Sequence, residues 1–218
     1  MTEANNRINL PASEIRVLGA LIEKSVTTPD YYPMTLNSLT AACNQKTSRS
    51  PVTNYSEQEV QEAINGLRAK SLVATATGGG SRAVKYKHNF GTVYPVSDAA
   101  IAVMCLLFLR GALTPGELNT NSGRLYSFSS LESVQDVLSE LSAHDPPFVK
   151  QLPRAPGQKE ARFVHLFGDM EPDFRDEPVS VSSAGQTPAG LEQRVAELEM
   201  QVASLKAILD RITGGGLQ

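Results

Sequence analysis

Residues 56–90 read SEQEVQEAINGLRAKSLVATATGGGSRAVKYKHNF, and this stretch decides the fold class. Ser56-x-x-Glu59 is a capping box, in which each side chain can bond the other residue's free backbone N–H at a helix start. Apolar residues then recur at helical spacing, at Val60, Ala63, Ile64 and Leu67. Residues 72–75 predict a short strand, the glycines at 78–80 predict a turn, and the alternating residues 84–90 predict a return strand. The stretch therefore predicts a helix that leads into a β-hairpin.

Two helices are predicted upstream of this stretch. The first begins near Ala12 and has an apolar stripe at Ile15, Leu18, Leu21 and Ile22. Thr35 can cap a second, short helix, and a polar loop at residues 44–55 follows it. Three helices followed by a β-hairpin is the winged-helix arrangement.

The same pattern occurs a second time. A helix is predicted over residues 98–110, a second one is capped by Thr114, and Ser129-x-x-Glu132 predicts the capping box of a third. Strands are predicted at residues 148–152 and 162–167. At a constant offset of 74 residues, Val60, Ile64 and Leu67 match Val134, Leu138 and Leu141. We therefore predict a mainly α protein with small β-hairpins, in which residues 1–96 and 97–170 form two tandem winged-helix domains.

The C-terminal part has a different composition. Residues 171–190 are rich in Pro, Ser and Gly and predict a linker. Over residues 191–213 a heptad seam predicts a short coiled-coil helix that forms a homodimer through Leu191, Val195, Leu198, Val202, Leu205, Leu209 and Ile212. The alternative is a helix that packs back on its own chain.

Three segments stand out from the rest of the chain: NQKTSRSPV at residues 44–52, LLFLRGALTPGEL at 106–118, and LPRAPG at 152–157 followed by EAR at 160–162. They resemble the signature segments of the YceH family of bacterial proteins, whose function is unassigned. The resemblance covers about residues 10–167 and implies tandem winged helices and a dimer, with no catalytic residue to carry over. It draws attention to the charged residues Lys46, Arg49 and Arg124. Ser50 departs from the pattern, which has an acidic residue at that position.

Composition excludes several classes of protein. The chain has 218 residues, 41% of them hydrophobic and 20% charged, which is ordinary globular usage. No apolar run approaches the roughly 20 residues that span a bilayer, and the N-terminus does not resemble a secretory signal, so we expect a cytoplasmic protein. Cys43 and Cys105 lie in apolar helical patterns and are interpreted as reduced core residues.

Charge is distributed unevenly along the chain. The net charge is −3, with 10 Lys and Arg against 7 Asp and Glu (+3) in residues 1–97. The balance is 6 against 8 (−2) in residues 98–170 and 4 against 8 (−4) in residues 171–218. If any part contacts nucleic acid, the first part is the candidate.

The sequence gives little support for catalysis. His88 and His165 occupy matching places in the two return strands, beside aromatic residues, and are interpreted as structural. CxxC, HExxH, G-x-S-x-G and phosphate-loop motifs are absent from the sequence. We predict no enzymatic activity, no metal site and no cofactor.

DNA binding is the leading hypothesis. The third helix of a winged helix can enter the major groove, where Gln and Asn can bond adenine and Arg can bond guanine. Base contacts are assigned to Gln61, Asn65 and Arg68, and phosphate contacts to Lys46, Arg49, Arg82, Lys85 and Lys87. The alternative is an ordinary solvated surface, because Glu57, Glu59 and Glu62 crowd the start of the same helix.

The corresponding helix of the second unit is acidic. Residues 131–145 contain Glu132, Asp136, Glu140 and Asp145 and no Lys or Arg. We therefore predict that this unit packs on the first unit or on a protein partner. A protein–protein adaptor without DNA contact is the rival function, and a ligand sensor with a pocket between the units is a third hypothesis.

Overall fold

A computed structural model describes residues 9–76, 83–154 and 158–168. Within these ranges the chain forms seven α-helices and two small antiparallel sheets. The predicted class, mainly helical with small β-hairpins, is confirmed. The linker at 171–190 and the heptad residues Leu191, Val195, Leu198, Val202, Leu205, Leu209 and Ile212 lie outside the described residues.

The first half places three helices beside a three-stranded sheet. Its elements are α1 (Ala12–Thr27), a 3₁₀ turn (Pro29–Tyr31), β1 (Met34–Thr35), α2 (Leu36–Cys43), α3 (Glu57–Ala69), β2 (Val73–Ala76) and β3 (Lys85–His88). The strand order is β1-β3-β2, with Met34 opposite Tyr86 and Val73 opposite His88.

The second half has a similar element order. Its elements are α4 (Phe90–Val93), α5 (Asp98–Arg110), α6 (Pro115–Ser122), α7 (Leu131–Ala143), β4 (Val149–Gln151) and β5 (Phe163–His165). Val149 pairs with His165, and an isolated antiparallel bridge joins Leu113 to Phe163. A short extended segment therefore pairs with the last strand in each half, between α1 and α2 in the first and between α5 and α6 in the second.

Side-chain caps begin most of the predicted helices where the sequence places them. The Ser56 hydroxyl accepts from the Glu59 N–H at 3.2 Å, and Glu59 accepts from the Ser56 N–H at 2.8 Å. Thr114 and Glu117 form the equivalent box at α6. Each pair satisfies two backbone donors that have no partner within the helix.

The predicted Ser129 and Glu132 box is wrong by one residue. Ser130 caps α7 instead, and its hydroxyl accepts from the Ser133 N–H at 3.2 Å. Both serines are competent caps, so local sequence does not discriminate between them. Glu132 is left in the first turn, where its charge interacts favourably with the helix dipole.

The predicted strands are also longer than those observed. Strand β3 ends at His88, and Phe90 begins the short helix α4. Phe90 is fully buried among aromatic rings, with centroids 5.8 Å from both Phe108 and Phe167. Packing of this ring, rather than strand alternation, accounts for the turn of the chain at this point.

One cluster of buried apolar side chains includes residues from both halves. Helix α1 packs against α5, and a Cβ at Gly19 would lie 3.0 Å from both Leu109 and Phe108 side-chain atoms. A side chain at position 19 would therefore press on α5, because the two helices approach closely here. Cys43 and Cys105 are free thiols in the core, as predicted. None of the described helices is long and apolar enough to cross a membrane.

Candidate functional site

The outer face of α3 brings together the three residues predicted to contact bases. Asn65 and Arg68 are exposed, whereas Gln61 is half-buried. The Gln61 amide donates to Asn65 Oδ1 at 3.1 Å, and its own oxygen accepts from the Tyr86 hydroxyl at 3.2 Å. Gln61 therefore links α3 to β3 and orients Asn65, while Asn65 and Arg68 present their side chains to solvent.

Strand β3 carries two of the predicted phosphate contacts. Successive residues of a strand face opposite sides of the sheet. Tyr86 is buried on the side of α3, so Lys85 and Lys87 lie on the opposite side. Lys87 is exposed and Lys85 is half-buried. Arg82, the third basic residue predicted in this hairpin, lies outside the described residues.

Arg49, predicted to contact phosphate, is instead buried with 7% exposure. It donates to both carboxylate oxygens of Glu23, at 3.1 and 2.7 Å, and to the Ala42 carbonyl at 3.2 and 2.8 Å. A side chain committed in this way cannot reach DNA. Arg49 is therefore excluded from the candidate surface.

A second buried arginine supports the same loop. Arg16 donates to the Cys43 carbonyl at 3.3 Å and to the Pro51 carbonyl at 2.6 Å. Burial lowers the pKa of Arg16, and the charge of Arg49 lowers it further. Burial opposes ionisation of Glu23, but the hydrogen bonds and charge of Arg49 outweigh burial and lower the pKa of Glu23. Arg16, Arg49 and Glu23 thus fix residues 44–52 against α1 and α2. Nothing in the local sequence of residues 44–52 pointed to Glu23 as the partner of Arg49.

Lys46 does not lie on the α3 face but in a cleft between the two halves, here called the central cleft. The central cleft has a volume of about 630 Å³ and is also lined by Lys24, Arg110 and Arg124. These cations come from four separate segments: α1, the loop after α2, the end of α5 and the segment after α6. Of them, the sequence had drawn attention only to Lys46 and Arg124, because no spacing rule relates the four.

The two strand histidines pack inside the protein, His88 partly and His165 almost completely. Burial lowers the pKa of His88 and the pKa of His165 to about 4, so both are neutral at pH 7. A ring nitrogen of His88 lies 3.1 Å from the Ser25 hydroxyl, and His165 packs edge-on against Phe108. Over the described part of the chain, no group of three or more His, Cys, Asp or Glu residues could hold a metal ion.

Helix α7 presents an acidic face. Glu132, Asp136 and Glu140 are exposed, as is Asp145 just beyond the helix. Its opposite face is buried through Val134, Leu138 and Leu141. The exposed face of α7 is therefore suited to a cationic surface rather than to the phosphates of DNA.

These features define a two-sheet, mainly helical protein with a polar α3 face and a basic central cleft. A family model described as "Protein of unknown function, DUF480" matches residues 10–158. A UPF0502 protein of Shewanella sp. (strain W3-18-1) is 44% identical over 216 residues, covering 94% of this chain and 98% of its own length. UPF0502 proteins of Shewanella loihica and Shewanella oneidensis are 45% and 43% identical, over 91% and 94% of this chain and 98% of their own lengths. The chain belongs to this family of uncharacterised bacterial proteins, DUF480/UPF0502.

Proposed function

We propose that this protein is a non-enzymatic DNA-binding protein of the bacterial cytoplasm, a transcriptional regulator in which the first of two winged-helix domains contacts DNA. The element order of the first half supports the winged-helix assignment: three helices, a strand before the second helix, and a hairpin whose last strand is central. The Leu113 to Phe163 bridge gives the second half a corresponding pairing.

The observation that carries the proposal is the exposed polar face of α3. Its inner face is buried through Val60, Ile64 and Leu67, so its outer face is free to enter a major groove. Asn65 can bond adenine and Arg68 can bond guanine, each through two hydrogen bonds. Gln61 acts mainly by orienting Asn65, because its amide already bonds Asn65 and Tyr86.

Lys85 and Lys87 supply the proposed phosphate contacts. They carry positive charge on the hairpin that follows α3, and Lys87 is exposed. Such contacts position a protein on the duplex without reading its sequence. The acidic residues Glu57 and Glu59 lie at the first turn of α3, where Glu59 is held by Ser56. The proposal therefore assigns the C-terminal part of α3 to DNA.

A dimer through the C-terminal heptads completes the proposal. Two copies of the α3 face would then read a site with two-fold symmetry.

Selection from a randomised duplex library tests the proposal. The full-length protein is used, after its folding and oligomeric state have been established. Enrichment of one symmetric motif supports the proposal. No enrichment at low or moderate salt rejects sequence-specific DNA binding.

The second candidate function is a protein–protein adaptor. It is favoured by the exposed acidic side chains Glu132, Asp136 and Glu140 of α7. Under this function the protein binds no DNA, and neutralising these carboxylates abolishes capture of a basic partner.

A further inference from the structure

The central cleft has the dimensions of a small-molecule site. Its volume of about 630 Å³ lies within the roughly 300–1,000 Å³ typical of ligand pockets. Most of its described lining is polar, with apolar contributions from Leu106, Leu109 and Leu125. A ligand for this cleft must therefore be polar as well as small.

Positive charge dominates the cleft. Its described lining contains four cationic side chains, Lys24, Lys46, Arg110 and Arg124, and a single carboxylate, that of Glu23. Arg49 donates to both oxygens of Glu23, and Lys24 lies 3.3 Å from one of them. Glu23 is therefore neutralised by the buried Arg49 and by Lys24, which leaves the positive charges of Lys46, Arg110 and Arg124 in excess.

Much of the hydrogen-bonding capacity of these cations is unused. Among the described residues, Lys46 and Arg124 have no hydrogen-bond or ion-pair partner. Arg110 donates one bond, to the Ser48 hydroxyl at 3.0 Å, out of the five N–H donors of a guanidinium group. Concave, charged surfaces of this kind concentrate ions of the opposite sign.

Contacts between the two halves fix the walls of the cleft. The Ser50 N–H donates to the Leu109 carbonyl at 2.9 Å, and Arg110 bonds Ser48 in the same loop. Arg16 and Arg49 hold the other side of that loop. The backbone that carries Lys46 and Arg110 is thus held in place, which reduces the entropy lost when a ligand binds.

We propose that the central cleft binds a small phosphorylated metabolite that carries at least two negative charges. Arginine and lysine together suit phosphate groups, which accept several charge-assisted hydrogen bonds. A cleft of this volume accommodates a molecule of nucleotide size, whereas a double helix could contact only its rim. The proposal does not rest on DNA binding by α3, since the two surfaces share no residue.

Calorimetric titration with inorganic pyrophosphate tests the proposal. The double variant Lys46→Gln with Arg124→Gln removes two exposed cations that have no partner in the described structure, so folding should be retained. The matched control, Lys150→Gln with Arg154→Gln, removes two exposed cations elsewhere. We expect saturable one-to-one binding to the wild type and the control, and about tenfold or greater weakening in the cleft variant.

Hydrogen exchange locates the bound pyrophosphate. We expect slower amide exchange at residues 45–50 and 119–125 in the complex and no change at residues 61–68 of α3.

Absence of saturable binding, or equal affinity in both double variants, overturns the proposal. If pyrophosphate does not bind but duplex DNA does, and this DNA binding is lost in the Lys46 and Arg124 variant, the cleft is a DNA contact and the metabolite proposal is wrong. If DNA binding is lost only in variants of α3, the result bears on the proposed function and not on the ligand of the central cleft.

Discussion

Arg49 donates one hydrogen bond to each carboxylate oxygen of Glu23, at 3.1 and 2.7 Å, although the two residues are 26 positions apart in the chain. The Arg49 side chain is completely buried, and that of Glu23 is 14% exposed. This pair joins α1 to the loop after α2. It also removes from solvent the residue that the sequence had suggested for phosphate binding.

Replacement Arg49→Met should destabilise the protein by about 3 kcal/mol, because it removes the two hydrogen bonds to Glu23 and those to the Ala42 carbonyl. It leaves Lys24 as the ion-pair partner of Glu23. Urea unfolding, with Glu23→Gln as the companion variant, measures this loss. If the Arg49 variant keeps wild-type stability and loses DNA affinity, Arg49 contacts DNA and the structural role is wrong.

The free energy of unfolding should fall as the pH is lowered from 6.5 towards 4. The folded-state pKa of His88 and of His165 is about 4, below the ordinary value of 6.5. In this interval the unfolded chain binds protons that the folded chain does not, and the slope is about 1.4 kcal/mol per pH unit for each group. The two histidines make their full contribution to the free energy of unfolding above pH 6.5.

Denaturant unfolding at several pH values tests this dependence. Replacements His88→Gln and His165→Gln should each reduce the slope between pH 6.5 and 5. A slope that is unchanged in both variants would show that other groups dominate.

The buried thiols should be unreactive in the folded protein. Burial raises the pKa of Cys43 to about 12 and also raises the pKa of Cys105. Because the thiolate is the reactive form, a thiol reagent at pH 8 should modify neither cysteine until the chain unfolds. Rapid modification of one thiol under native conditions would contradict its placement in the core.

Replacement Gly19→Val should destabilise the protein by about 2–3 kcal/mol, because the new side chain would force Leu109 and Phe108 of α5 away from α1. Thermal or urea unfolding measures the effect. The control is Gly123→Ala, where a Cβ meets no atom within 4 Å. Equal stability of the two variants would show that α1 and α5 do not approach closely.

If the protein binds DNA through α3, Lys87→Gln should weaken binding to all sequences. It should reduce the salt dependence by about 0.9 log unit per log unit of salt, which corresponds to one phosphate contact. Fluorescence anisotropy at several salt concentrations measures this change, with Lys150→Gln as the control. In contrast, Asn65→Ala should change the preferred sequence. An identical effect of Lys87→Gln and Lys150→Gln would place the phosphate contacts elsewhere.

Much of the fold follows from signals within short stretches of sequence. The capping pair Ser56 and Glu59 fixes the start of α3, and the apolar stripe that includes Ile64 and Leu67 determines which face is buried. Cap and stripe depend on hydrogen bonds and contacts between residues three or four positions apart. Residue spacing alone is therefore sufficient to predict the start and the buried face of α3, and it is also sufficient to predict the helices α1 and α5.

Tertiary structure decided the features that join distant segments. Phe90 leaves the predicted strand because Phe108 and Phe167 surround its ring. Glu23 pairs with Arg49 because α1 packs beside the loop after α2. Lys46 lies in a cleft with Arg124 because α1 and α5 pack through Gly19 and bring the two halves together. Helix periodicity identified the surfaces that had to be buried. No local spacing relates these charged residues to one another. The contacts made when the apolar surfaces pack therefore decide which charged side chains are buried with a partner and which stay exposed.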